Sequence, residues 1–228
     1  MRELTPAGPV TAELWQEAAQ IRSRIADLPF LKQLADGTLS PRVFVNYLQQ
    51  DEFYLASYAR ALAMLATRSY GSESAEFWAR SASEAVTAER VLHDDLFNDP
   101  HLSGLTRPDV ASPTTRAYAN FLLAACAFEP YPVAAAAVLP CYWVYAEVGA
   151  ALAERAKTAT DHPYAAWVSA YDDPEFREIA QRAINEVEAA CAGLSETLRG
   201  KIKTVFLDAT RYEELFWLSA MDCEQWQL

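Results

Sequence analysis

Prolines in this chain stand where helices begin. Ser40-Pro41, Ser112-Pro113 and Asp173-Pro174 each place a side-chain acceptor at the N-cap and a proline at the first helical position. That position has no intrahelical use for its N–H, so proline is tolerated there and excluded a turn later. Asp161-His162-Pro163 starts a shorter helix in the same way. Breaks fall at Asp36-Gly37, at Gly71-Ser72, in the Glu129-Pro130-Tyr131-Pro132 corner and at Gly193-Leu194-Ser195, with a long loop over 98–113. Between these marks apolar residues recur at helical spacing, as Leu14, Ala18, Ile21 and Ile25 do. Only 7 glycines interrupt the 228 residues, and no strand-like alternation is found. The expectation is one all-α domain over 11–228, with seven or eight helices at about 11–27, 41–67, 72–97, 114–128, 132–158, from 161, 174–192 and 195–222. Residues 1–10 carry no motif and read as a flexible arm.

Charge narrows the partners. A net charge of −12 without a Lys/Arg run repels phosphate backbones and anionic membranes, so neither nucleic acid nor a membrane surface is expected as a partner. The longest uncharged run, Tyr131 to Ala146, is interrupted by Pro132 and Pro140. It is shorter than the roughly 20 residues of a spanning helix. The first residues lack the apolar stretch of a signal peptide. Cys126, Cys141, Cys191 and Cys223 fit no zinc spacing and read as free thiols of a cytoplasmic protein.

Three places hold chemistry-bearing side chains. Tyr47, Asp51, Tyr54 and Tyr58 follow one another at offsets of four, three and four, on one face of the second long helix. Cys141 follows Pro140 in an aromatic stretch, with Tyr145 one turn on; the proline is expected to kink or open the helix just before the thiol. Glu213 and Glu214 are about 100° apart on the last helix, so one of them turns toward the core, where burial raises a carboxyl pKa into the range of a general acid. Each place also has a bland alternative: a satisfied Asp, core aromatics, a solvated acidic pair. Glu84, Glu89, His93 and Asp94 could supply metal ligands, but the Glu-to-His spacing is four rather than the three of di-iron bundles.

Taken together, Leu48-Gln49-Gln50-Asp51-Glu52-Phe53-Tyr54-Leu55, Ser112-Pro113-Thr114 with Tyr118, Leu139-Pro140-Cys141-Tyr142-Trp143 through Gly149, Ser169-Ala170-Tyr171 and Tyr212-Glu213-Glu214-Leu215-Phe216-Trp217 resemble, in order, the segments of the thiaminase II (TenA) family. The resemblance implies a haem-oxygenase-like helical bundle, a homotetramer, no cofactor and no metal. It implies hydrolysis of 4-amino-5-aminomethyl-2-methylpyrimidine to the 5-hydroxymethyl pyrimidine, and cleavage of thiamin. It implies Cys141, Glu213 and Asp51 as catalytic residues, with Tyr54, Tyr118, Tyr145 and Tyr171 binding the ring. The chain departs from the pattern at Glu214, and no Lys or Arg stands beside Cys141 to draw off its proton. The competing readings are a metal-dependent oxidase using His93 or His162, and a non-catalytic pyrimidine- or thiamin-binding regulator.

Overall fold

Helix after helix follows the proline marks. The computed structural model describes residues 4–97, 99, 101–156, 161–171 and 173–227, and gives only the backbone course for 88–96, 170 and 171. Ten α-helices occur among them, and no strand: α1 Pro9–Glu17, α2 Ala19–Ala26, α3 Pro29–Ala35, α4 Pro41–Arg68, α5 Ser72–Phe97, α6 Pro113–Phe128, α7 Tyr131–Ala156, α8 Ala165–Tyr171, α9 Pro174–Ala190 and α10 Glu196–Met221. The count exceeds the seven or eight expected for two reasons. The helix foreseen over 11–27 divides at Ala18, whose N–H bonds both Leu14 and Gln16 carbonyls. A short helix, α3, also starts at Pro29 behind a leucine that offers no polar cap.

The caps work unevenly. Ser112 Oγ accepts from the Thr115 N–H at 3.2 Å and Asp173 Oδ1 from the Glu175 N–H at 2.9 Å, as their types predict. Ser40 sits at the N-cap of α4 without a side-chain bond. The segment before α1, expected as an arm, is instead tied to α9. Thr5 exchanges two hydrogen bonds with Gln181, and Glu188 accepts from the Val10 and Thr11 N–H groups at the start of α1. A side chain at Gly8 would collide with Glu188, so glycine lets the backbone approach that carboxylate.

At the centre lies α7. It packs against α6, α8, α9 and α10, while α4 packs against α5, α6, α7 and α10. Its length and hydropathy would suit a membrane span, but 83% of the apolar window is buried inside the protein, as in a core helix. The helix also runs unbroken through Pro140, so the expected opening before the thiol does not occur. Pro140 cannot donate to the Ala136 carbonyl one turn back. In the same turn the Val138 carbonyl accepts a hydrogen bond of 3.0 Å from the Tyr58 hydroxyl of α4, which fixes the two helices to each other just before Cys141.

Candidate active site

Four long helices converge on one cluster. Asp51, Tyr54 and Tyr58 come from α4, Tyr118 from α6, Cys141 and Tyr142 from α7, and Glu213 from α10. Gln50 ties two of them together. Its side chain accepts from the Ser112 N–H at 2.8 Å and donates to the Val110 carbonyl at 3.3 Å. The start of α6, and with it Tyr118, is thus set against the turn of α4 that carries Asp51.

Cys141 differs from everything around it. Every residue from 131 to 146 is buried except Cys141, which keeps part of its surface accessible. A thiol sealed in core has no such surface. Desolvation nonetheless holds its pKa well above the ordinary thiol value. The Glu213 and Asp51 carboxylates reinforce the rise, and the Tyr54 and Tyr58 hydroxyls oppose it. The thiol therefore faces both carboxyls and both phenols.

Glu213 is 1% exposed, and its Oε1 accepts a 2.5 Å hydrogen bond from the Tyr118 hydroxyl. Burial pushes its pKa up to about 8; the Tyr118 bond pulls downward and the Asp51 charge pushes further up. At neutral pH this carboxyl holds a proton that it can give away. Asp51 is 3% exposed. The Tyr54 hydroxyl is buried beside the Cys141 thiol and the Tyr118 hydroxyl.

The tyrosines form a wall rather than a sandwich. Ring centroids are 5.1 Å apart for Tyr212 and Tyr118, 4.8 Å for Tyr118 and Tyr54, and 5.5 Å for Tyr54 and Tyr58, with planes within 30° of parallel. Phe216 packs on Tyr54 at 5.7 Å. Tyr118 thus spends its hydroxyl on Glu213 and its ring on its neighbours. Tyr145 lies one turn beyond Cys141, its hydroxyl 3.2 Å from that of Tyr47 and its ring 5.0 Å from Trp217. The side chain of Tyr171 lies outside the described residues.

Glu214 belongs elsewhere. Arg24 donates to it through two nitrogens at 2.7 and 2.6 Å, so this extra acid is a partner for α2 and not part of the site. Two residues of the cluster were not predicted for it. Tyr58 was visible as the next step of the Asp51–Tyr54 face; Tyr142 was not, because in sequence it is one more aromatic residue of an apolar stretch. The possible metal ligands Glu89, His93 and Asp94 have side chains outside the described residues. Among the described residues, no group of three or more His, Cys, Asp or Glu is placed to hold a metal.

Known proteins resemble this chain in sequence and fold. The thiamine biosynthesis multifunctional protein ThiED of Corynebacterium efficiens is 40% identical over 215 residues, 93% of this chain but 28% of that protein. The chain therefore spans less than a third of that relative's length. An aminopyrimidine aminohydrolase of Bacillus subtilis is 30% identical over 200 residues, which cover 87% of this chain and 84% of that enzyme. Among solved structures, a TenA homologue from P. horikoshii OT3 superposes with a TM-score of 0.82 at 24% identity, covering 94% of this chain and 99% of that one. A domain with a heme oxygenase-like fold from Shewanella denitrificans superposes with 0.68 at 13% identity, covering 92% and 91%. The all-α, haem-oxygenase-like bundle expected from sequence is the fold observed. Residues 15–224 match the TENA/THI-4/PQQC family, and the chain belongs to it.

Proposed function

We propose that this protein is an aminopyrimidine aminohydrolase that converts 4-amino-5-aminomethyl-2-methylpyrimidine to the 5-hydroxymethyl pyrimidine, and that it also cleaves thiamin at the corresponding bond. The observation that carries the reading is the one accessible thiol of the buried α7 core, set against a protonated Glu213. A binding protein needs neither group. The name of the B. subtilis relative supports the same reading.

The steps balance as follows. Cys141, as thiolate, adds to an electron-poor ring carbon; an S–C bond forms and the ring loses aromaticity. The C–N bond to the C5-methylene group then breaks, and ammonia leaves with the proton of Glu213. Glu213, now a carboxylate, takes a proton from water as the water oxygen bonds to the exocyclic methylene. The S–C bond breaks, aromaticity returns, and the thiolate is released. One hard displacement becomes two easier steps, with one carboxyl serving first as acid and then as base. Asp51 would hold the ring nitrogen and amino edge. Tyr54, Tyr145 and Tyr171 would bind the ring; Tyr118 acts mainly through Glu213.

We place the protein in the cytoplasm, as its composition suggests, and as a homotetramer, as the family resemblance implies. The exposed Phe128 and Tyr70 rings, 86% and 75% accessible, support association with further copies. Incubation of purified protein with the aminomethyl pyrimidine, followed by chromatography, tests the activity. Hydroxymethyl pyrimidine and ammonia in equal amounts are expected. Binding without product would favour the regulator instead.

A further inference from the structure

The bond between Tyr118 and Glu213 joins two helices, so it depends on where α6 starts relative to α10. The first amides of a helix have no partners inside it. At α6, Pro113 has no N–H to satisfy, and Ser112 Oγ takes the Thr115 N–H. The Thr114 N–H is left over, and Glu224 Oε2 accepts from it at 2.9 Å. A carboxylate in that place is also favoured by the positive end of the helix dipole.

Glu224 arrives there through the turn that ends α10. The Cys223 and Glu224 N–H groups bond back to the Ala220 and Ser219 carbonyls at 3.1 and 2.9 Å, and Cys223 takes a φ of 49°. This is a Schellman turn, with a cysteine where glycine is usual. The same turn brings Trp226 to the start of α6, where its indole N–H donates to the Ala111 carbonyl at 3.0 Å. Gln50 of α4 already holds the Val110 carbonyl and the Ser112 N–H. Four backbone groups over residues 110–114 are thus taken by distant side chains, two from α4 and two from the segment that follows α10. Glu213 lies about two helical turns before the end of α10, and Tyr118 about one turn beyond Thr114. The α10 segment therefore grips α6 at two places, through Glu213 inside the site and through Glu224 and Trp226 outside it.

We infer that Glu224 and Trp226 are positioning residues of the proposed active site, which fix the start of α6 to the end of α10 and so hold the Tyr118 hydroxyl on Glu213. The inference rests on the acid role of Glu213 proposed above. Without the Glu224 carboxylate, the Thr114 N–H turns to water and the start of α6 loses one of its ties to α10. Tyr118 then spends less time on Glu213, and the downward pull of its hydrogen bond on the Glu213 pKa weakens. Asp51 and Tyr54 of α4 and Cys141 of α7 also face Glu213, and they stay as they are when Glu224 or Trp226 is replaced.

The test is the Glu213 titration, followed by carbon-13 NMR of the carboxyl, in Glu224→Ala, in Glu224→Gln, and in Glu224→Ala combined with Tyr118→Phe. Glu224→Ala should move the titration up by about 0.5 pH unit or more, part of the shift that outright loss of the Tyr118 bond produces. Glu224→Gln, which keeps an oxygen acceptor for Thr114, should titrate close to the parent. In the Tyr118→Phe background Glu224→Ala should add nothing, because both changes act through one bond. Turnover of the aminomethyl pyrimidine by Glu224→Ala should fall about threefold or more in kcat, with KM unchanged. A smaller shift in Glu224→Ala overturns the inference, as does an equal shift with and without the Tyr118 hydroxyl, or a fall in kcat without a shift. Should Glu224→Ala fail to fold, Trp226→Phe, which keeps a half-exposed ring and drops the N–H to Ala111, carries the same expected shift and the same refutation. The titration needs no turnover. If the unmodified protein releases no hydroxymethyl pyrimidine, the proposed function fails and the titration still decides the positioning; if turnover proceeds and the titration does not move, only the positioning fails.

Discussion

Glu213→Gln should make the protein more stable as it abolishes the proposed turnover, and the gain should depend on pH. Glu213 has a pKa of about 8 in the folded protein against an ordinary value of 4.5, with burial as the main cause. Below 4.5 the carboxyl is protonated in folded and unfolded chains alike and costs nothing. Between 4.5 and about 8 the folded state holds a proton that the unfolded state lacks, so stability falls as pH rises through this window and levels off above it. At 1.36 kcal/mol per pH unit, the full penalty is about 5 kcal/mol. Glutamine keeps the shape and still accepts from Tyr118, but does not titrate. Urea denaturation of both proteins at about pH 5 and about pH 8.5, at equal protein concentration, reads the difference. The variant's advantage should grow by several kcal/mol between the two, up to about 5. An advantage that is the same at both pH values, within about 0.5 kcal/mol, would refute the claim that Glu213 is buried and neutral near pH 7.

Other perturbations separate the parts of the site. Tyr118→Phe removes the hydrogen bond that pulls the Glu213 pKa down. The Glu213 titration, followed by carbon-13 NMR of the carboxyl, should move up by about one to two pH units, because a bond to a charged group is worth about 1.5–3 kcal/mol; a downward move contradicts this. Glu214→Gln breaks only the pairing with half-exposed Arg24. It should leave kcat within about twofold and change stability by about 1 kcal/mol or less, and a larger fall in kcat would return Glu214 to the site. Dialysis against a chelator, with elemental analysis, should leave turnover unchanged; loss restored by iron would support the oxidase instead.

How far the sequence could be read depends on where each feature gets its specificity. α4, α5, α6 and α10 begin and end within about a residue of their expected bounds, because proline, serine and glycine punctuate them locally. The division at Ala18 has no such mark, because alanine favours helix. Pro140 misleads for a related reason. Local rules predict a kink or an opening, but α7, buried among α6, α8, α9 and α10, stays one continuous helix and accepts a hydroxyl from α4 in its weakened turn.

The candidate site was legible in its residue types and obscure in its connections. Asp51 and Tyr54 announce themselves by spacing on one face, and Glu213 by being one of two acids on a half-apolar helix. That Glu213 rather than Glu214 faces inward is settled by Arg24, which is far away in sequence and captures Glu214. Tyr118 was expected to bind the ring, yet its strongest partner is Glu213, a contact between α6 and α10 that no local pattern encodes. Tyr142 acquires its place through ring contacts with Tyr58 of α4 and Trp78 of α5, which are far away in sequence.

The most direct test of the account is turnover by Cys141→Ala, measured as hydroxymethyl pyrimidine released from 4-amino-5-aminomethyl-2-methylpyrimidine. The account predicts turnover in the unmodified protein and none above the uncatalysed rate in the variant, with ligand binding kept. A variant that turns over at close to the parent rate would contradict it.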